Sequence, residues 1–117
     1  MKKDIKVEIF NREFRAYERW FKREKRVYYM ELKALKRVLR GIKFNKALEV
    51  GVGSGRFAPF LNIKYGIEPS RKMRYIASKR EIKVIFAKAQ KIPFKNNSFD
   101  LVLMVTTICF LDNPLVA

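Results

Sequence analysis

The sequence predicts an α/β fold, a parallel sheet whose short strands alternate with helices, preceded by two N-terminal helices. Three observations predict it. Aromatic and leucine residues recur at helical spacing through the first forty positions. From residue 46 onward, short apolar runs alternate with helical and turn-forming segments, the pattern of a parallel sheet with right-handed crossovers. The first of those runs, Ala47-Leu48-Glu49-Val50, leads directly into the glycine-spaced turn Gly51-Val52-Gly53-Ser54-Gly55.

Phe10, Phe14, Tyr17 and Phe21 fall at i, i+4, i+7 and i+11, which lines one face of a helix, and Tyr28, Leu32, Leu35 and Leu39 repeat the pattern. Between them, Lys22-Arg23-Glu24-Lys25-Arg26 places charge where the stripe would continue. Two helices separated by a bend are therefore predicted, with Gly41 ending the second. Strands are predicted over 46–51, 64–68, 83–86 and 99–106. Helices are predicted over 56–61 and 70–79, the latter capped by Ser70. Asn96-Asn97-Ser98 is a turn before the fourth strand. Leu101-Val102-Leu103-Met104-Val105 is apolar on both faces, as a central strand is. The 117 residues suit one structural domain with a modest core. Its parts are a basic helical segment over 1–45 and a sheet-forming part over 46–117.

The glycine turn carries most of the functional information. Glycine adopts positive φ freely and lets a ligand rest against main chain. The start of a following helix, near Arg56, would offer unpaired N–H groups to an anionic group. The usual dinucleotide fingerprint is G-x-G-x-x-G, and here the third glycine comes one residue early.

With Glu49, that spacing resembles the E/D-x-G-x-G-x-G signature of class I methyltransferases that use S-adenosylmethionine. Three further segments follow in the same order as in that family. Tyr65-Gly66-Ile67-Glu68-Pro69-Ser70 resembles the second strand ending in an acidic residue. Ala87-Lys88-Ala89-Gln90-Lys91-Ile92-Pro93-Phe94 resembles the G-D-A-E-x-L-P-F loop after the third, and Ser98-Phe99-Asp100-Leu101-Val102 resembles the S-F-D-x-V opening of the fourth. The resemblance covers residues 46–114. It implies a Rossmann-like sheet of strand order 3-2-1-4. It also implies a family domain of seven strands and nearly twice this length, so the chain corresponds to an N-terminal half truncated after the fourth strand.

The resemblance further implies a site for S-adenosylmethionine or its demethylated product, S-adenosylhomocysteine. Gly51, Val52, Gly53 and Gly55 would cradle the methionyl part, and Glu49 would face its ammonium. Glu68 would accept both ribose hydroxyls, with Pro69 as an apolar wall. The backbone of Ala89 and Gln90 would meet the adenine, because Lys88 stands where the family often has an aspartate and Ala87 where it has glycine. Thr106 would floor the site, and Tyr17 would fold over it within a lid formed by the first helix. Each residue also has a plainer reading. Glu49 is a charge at a strand end, Glu68 caps a helix or pairs with Arg71 or Lys72, Thr106 is an ordinary strand-end residue, and Tyr17 belongs to a core stripe.

The formal charge of +16, concentrated in residues 1–46, favours acidic partners such as nucleic acid. Arg12, Arg15, Arg19, Lys22, Arg23, Lys25 and Arg26 form the candidate contact face. A lysine-rich, histidine-free composition is alternatively that of a heat-adapted organism. One cysteine, Cys109, cannot form an internal disulfide, and a reducing, cytoplasmic setting is expected. No secretory leader pattern opens the chain, and the apolar run from Leu101 to Leu111 is shorter than the ~20 residues that span a bilayer. With no histidine and a single cysteine, zinc sites and nucleophilic triads are not expected, and the catalytic residues stay unassigned. The central-strand character of the fourth strand predicts that a second copy, another chain or the C-terminal tail covers its outer edge. The functional readings at this stage are a methyltransferase or its cofactor-binding half, a catalytically inactive methyltransferase-like chain, and a basic nucleic-acid-binding module.

Overall fold

A computed structural model describes residues 5–105. Helices α1 (Ile5–Arg23) and α2 (Lys25–Leu39) come first. Strand β1 (Ala47–Val50), a single 3₁₀ turn (Ala58–Leu61), strand β2 (Tyr65–Ile67), helix α3 (Arg71–Lys79), and strands β3 (Lys83–Ile85) and β4 (Leu101–Met104) follow. The four strands form one parallel sheet in the order β3-β2-β1-β4. That is the order the resemblance implied.

The bend between the N-terminal helices falls at Glu24, whose φ of -105° and ψ of 44° lie outside the helical range. A second, unpredicted kink sits at Glu13. Gly41 takes a φ of 82° just past α2, and the amide of Ile42 returns to the carbonyl of Leu39, closing the helix end. Ser70 caps α3 by accepting from the Met73 amide at 3.3 Å. Asp100 fastens β4 beside β1. Its carboxylate accepts from the amides of Asn45 and Lys46 at 2.7 and 2.9 Å, and its own amide donates to the Lys46 carbonyl.

Alternation along β1 divides the core between the two faces of the sheet. Ala47 joins Phe21, Tyr28, Leu32, Phe57, Leu61, Ile63 and Ala77 beneath the helices. Leu48 and Val50 join Ile67, Ala87 and Ala89 on the other face, where Phe94 and Phe99 pack edge to face over them. Glu49 shares the parity of Ala47, so its carboxylate is carried into the helix-covered layer.

The predicted helix over 56–61 is corrected to the 3₁₀ turn Ala58–Leu61. Pro59 lies in its first turn and supplies no amide, and Asn62 ends it in the left-handed region at a φ of 60°. The helix start expected near Arg56, with its partial positive charge for an anion, is therefore absent. The fourth strand, predicted over 99–106, ends at Met104 among the described residues, and Thr106 lies outside them. Beyond β1, β4 carries no further strand among the described residues, and Val102 on it is 54% exposed.

Candidate functional site

The glycine turn is anchored to the end of the neighbouring strand. The amides of Gly51 and Val52 both donate to the Ile67 carbonyl, at 2.9 and 3.1 Å, and Gly55 closes the turn onto the Val52 carbonyl. Gly55, at a φ of 85°, sits where a Cβ would come within 2.5 Å of Ile82 Cδ1 and touch Ala77. It is the point at which the turn packs against α3. Gly53, at a φ of 59°, bares main chain on the other side, and a Cβ there would lie 3.4 Å from the Tyr17 hydroxyl.

Glu68 follows β2 and reaches back to this turn. Its Oε1 accepts from the Gly53 amide at 3.0 Å, and its Oε2 accepts from the Ser70 amide at 2.8 Å. The acidic residue at the second strand and the glycine turn therefore share one crevice. Neither Arg71 nor Lys72 pairs with Glu68 among the described residues. Arg74 instead donates to the carbonyls of Glu68 and Pro69, both at 2.9 Å. Burial pushes the Glu68 carboxyl up, against the pull of the Ser70 and Gly53 amides and the Arg74 charge. An ionised carboxylate has about four lone-pair sites, so two amide bonds leave acceptor capacity for a diol.

Glu49 is not the strand-end surface charge of the plainer reading: it is 2% exposed. Burial and then the Glu68 charge push its carboxyl up to about 8, with the Ala58 amide opposing. Its Oε1 has no hydrogen-bond partner among the described residues. A buried acceptor without a donor matches a ligand ammonium.

Tyr17 belongs to the core stripe and also borders the glycine turn. Its ring packs edge to face on Phe21 and Phe10, while its hydroxyl lies over Gly53. Burial first, then the charges of Glu18, Glu49 and Glu68, push the phenol far above its ordinary range, so it is a neutral hydroxyl. Pro69 is half-buried beside Glu68. Ala89 is buried in the far-face cluster and Gln90 is half-buried, and no hydrogen bond ties either to the turn or to Glu68 among the described residues.

Two residues that the sequence did not single out complete the arrangement, and both lie on α1. Asn11 Oδ1 accepts from the Ser70 hydroxyl at 2.7 Å and from the Lys72 amide at 3.2 Å, fixing α1 to the start of α3. Glu18 Oε2 receives Arg56 Nη2 at 2.6 Å and Arg80 Nη2 at 3.0 Å, while Arg80 also donates to the Ser54 carbonyl. Burial raises the Glu18 carboxyl, but the nearby Ser54 hydroxyl and the hydrogen bonds of Arg80 and Arg56 outweigh it and hold the group below its usual range. Arg56, expected at a helix start, thus serves as a tie between α1 and the glycine turn. Only a polar residue beside an aromatic stripe hinted at Glu18 in the sequence. Among the described residues no cluster of acidic or cysteine side chains could hold a metal ion, and no helix is long and apolar enough to cross a membrane.

Comparison with known proteins agrees with this geometry. The profile of a family described as a methyltransferase domain matches residues 48–117. An uncharacterized protein of Methanocaldococcus jannaschii is 43% identical over 108 residues, covering 92% of this chain and 51% of that protein. A SAM-dependent methyltransferase of Thermotoga maritima, described as a possible histamine N-methyltransferase, is 47% identical with a TM-score of 0.87, covering 93% of this chain and 51% of that one. The plantazolicin methyltransferase BpumL, solved in complex with a monoazolic desmethylPZN analog and S-adenosylhomocysteine (SAH), shares the fold at a TM-score of 0.62 and 17% identity. The chain spans about half the length of these relatives. On the family profile and the close relatives together, the chain belongs to the S-adenosylmethionine-dependent methyltransferase domain family.

Proposed function

We propose that this chain is the cofactor-binding half of an S-adenosylmethionine-dependent methyltransferase, acting on an acceptor held partly by residues outside it. The observation that carries the reading is the 3.0 Å bond between Gly53 and Glu68, which joins the main-chain cradle to the ribose-binding carboxylate. Gly51, Val52, Gly53 and Gly55 hold the methionyl part, Glu49 takes its ammonium, and Glu68 accepts the diol beside Pro69. Bound S-adenosylmethionine would supply an electrophilic methyl group on a sulfonium. The protein's share of the work is alignment and exclusion of water. Tyr17, at the centre of an α1 segment that we read as a lid within residues 1–45, closes the crevice from above. Its hydroxyl is the part that borders the Gly53 main chain, where the methionyl part would rest. Ala89, Gln90 and Thr106 remain the proposed adenine and floor positions within 46–117.

The unpaired side of β4 is the expected junction with the acceptor half, supplied by a second copy of this chain or by a separate one in the cytoplasm. An apolar strand with an open edge favours such pairing. Titration calorimetry with S-adenosylmethionine and SAH tests the cofactor reading. Micromolar binding of either is expected, and no heat from either at high micromolar concentration overturns it. Retained SAH binding without methyl transfer to any acceptor would favour the inactive methyltransferase-like reading. Sedimentation tests the junction, where a monomer that stays unpaired at every concentration argues against a second copy.

A further inference from the structure

The outward faces of α1 and α2 carry a feature that cofactor binding does not use. At about 100° per residue, Arg15, Arg19, Lys22 and Arg23 occupy an arc of roughly 100° opposite Phe14, Tyr17 and Phe21. All four cations are exposed. The single carboxylate between Phe14 and Arg23 is Glu18, and it turns inward to Arg56 and Arg80, while at the end of the arc Arg23 pairs with Glu24 at 3.6 Å. On α2 the only acidic residue is Glu31, about 200° round the helix from Tyr29.

Tyr29 is 60% exposed within this basic surface. Lys25 and Arg26 precede it by one helical turn and Lys33 follows it by another, and all three are exposed. Lys25, Arg26 and Lys33 make no ion pair among the described residues. The Tyr29 ring leans on Tyr28 at a centroid distance of 5.3 Å and a tilt of 32°. Tyr28 is itself fixed in the core, and its hydroxyl donates to the Arg56 carbonyl, next to the glycine turn. The ring is thus held against a rigid neighbour with unpaired cations on either side of it along the helix.

We infer that the outer faces of α1 and α2 bind single-stranded nucleic acid, with phosphates on Arg19, Lys22, Lys25, Arg26 and Lys33 and an unpaired base stacked on Tyr29. Cations that track a backbone, interleaved with an exposed aromatic, form the platform that such strands use. This inference stands apart from the cofactor reading, since none of these residues touches the glycine turn, Glu49 or Glu68.

Fluorescence anisotropy of labelled oligouridine and oligothymidine of about twelve nucleotides tests it. With about five phosphates neutralised, affinity should fall roughly 100-fold between 50 and 200 mM salt. Tyr29→Ala should weaken binding about tenfold and leave the salt slope unchanged. Arg26→Glu with Lys33→Glu should flatten the slope, whereas the same charge change at Lys79 on α3 and Lys83 on β3 should do much less. All variants should bind SAH as the parent does, which separates failure of this inference from failure of the cofactor reading. No binding at 50 mM salt overturns the proposal. So does a Tyr29→Ala variant that binds like the parent, equal loss from the Lys79 and Lys83 pair, or tighter binding of a duplex of the same length.

Discussion

Glutamine in place of Glu49 keeps the shape of that buried side chain and removes its ability to ionise. Burial and the Glu68 charge push the carboxyl from an ordinary 4.5 to about 8. The folded state therefore binds this proton more tightly than the unfolded state does. The associated stabilisation is complete below pH 4.5 and is lost as pH rises through 8. A shift of this size corresponds to about 4–5 kcal/mol across the window, an upper figure because relaxation and water entry soften a buried charge. The half-buried Trp20 allows urea unfolding to be followed by fluorescence from pH 5 to 9. The parent should lose several kcal/mol between pH 5 and 8.5, and Glu49→Gln should remove most of that slope. Parallel curves for the two proteins would refute the burial argument. The ligand extends the test. With the carboxyl near 8, about nine-tenths of the molecules carry this proton at pH 7. A bound ammonium would discharge it, so SAH binding at pH 7 should release close to one proton, visible as heat that depends on the ionisation enthalpy of the buffer. Heat independent of the buffer would remove the ammonium from Glu49.

Three further outcomes follow from the same geometry. Glu68→Ala should weaken SAH binding by about 2–4 kcal/mol in calorimetry, since each charge-assisted bond to the diol contributes about 1.5–3 kcal/mol; an unchanged affinity takes Glu68 out of the site. Glu18→Ala strands two guanidinium groups and should lower unfolding stability by about 2–4 kcal/mol. Because the Glu18 carboxyl is held below its usual range, that contribution is present above pH 4.5 and disappears as pH falls below it, so parent and variant curves should converge in acid. Gly55→Ala drives a methyl into Ile82 Cδ1 at a backbone φ of 85°, and chemical denaturation should show a loss of about 1–3 kcal/mol, with no loss if the turn can swing away from α3.

The sheet was legible because its determinants are local. Ala47 to Val50 is apolar except at Glu49, and Ser70 marks the start of α3 by its own side chain. The break at Glu24 was likewise announced by charges interrupting an aromatic stripe. The helix expected after the glycine turn failed for an equally local reason that was underweighted. Pro59 and Asn62 lie only three residues apart, too close for more than a single 3₁₀ turn to form between them.

The site was less legible, because much of it is made by residues distant in sequence. Glu49 and Glu68 could be picked out from their place at strand ends, but nothing local shows that Glu49 points into the helix-covered layer. That follows only from the parity of β1 against a face that α1 and the 3₁₀ turn cover. Asn11 and Glu18 gain their meaning from Ser70, Lys72, Arg56 and Arg80, between 38 and 62 positions away. They also explain why Tyr17 is both core and cover. Asn11 ties α1 to the start of α3, Glu18 ties it to Arg56 and Arg80, and Tyr17 lies between those ties in sequence, with its hydroxyl over Gly53. The proposed lid is thus not a free flap: in the structure two separate ties, Asn11 to the start of α3 and Glu18 to Arg56 and Arg80, hold α1 against the crevice.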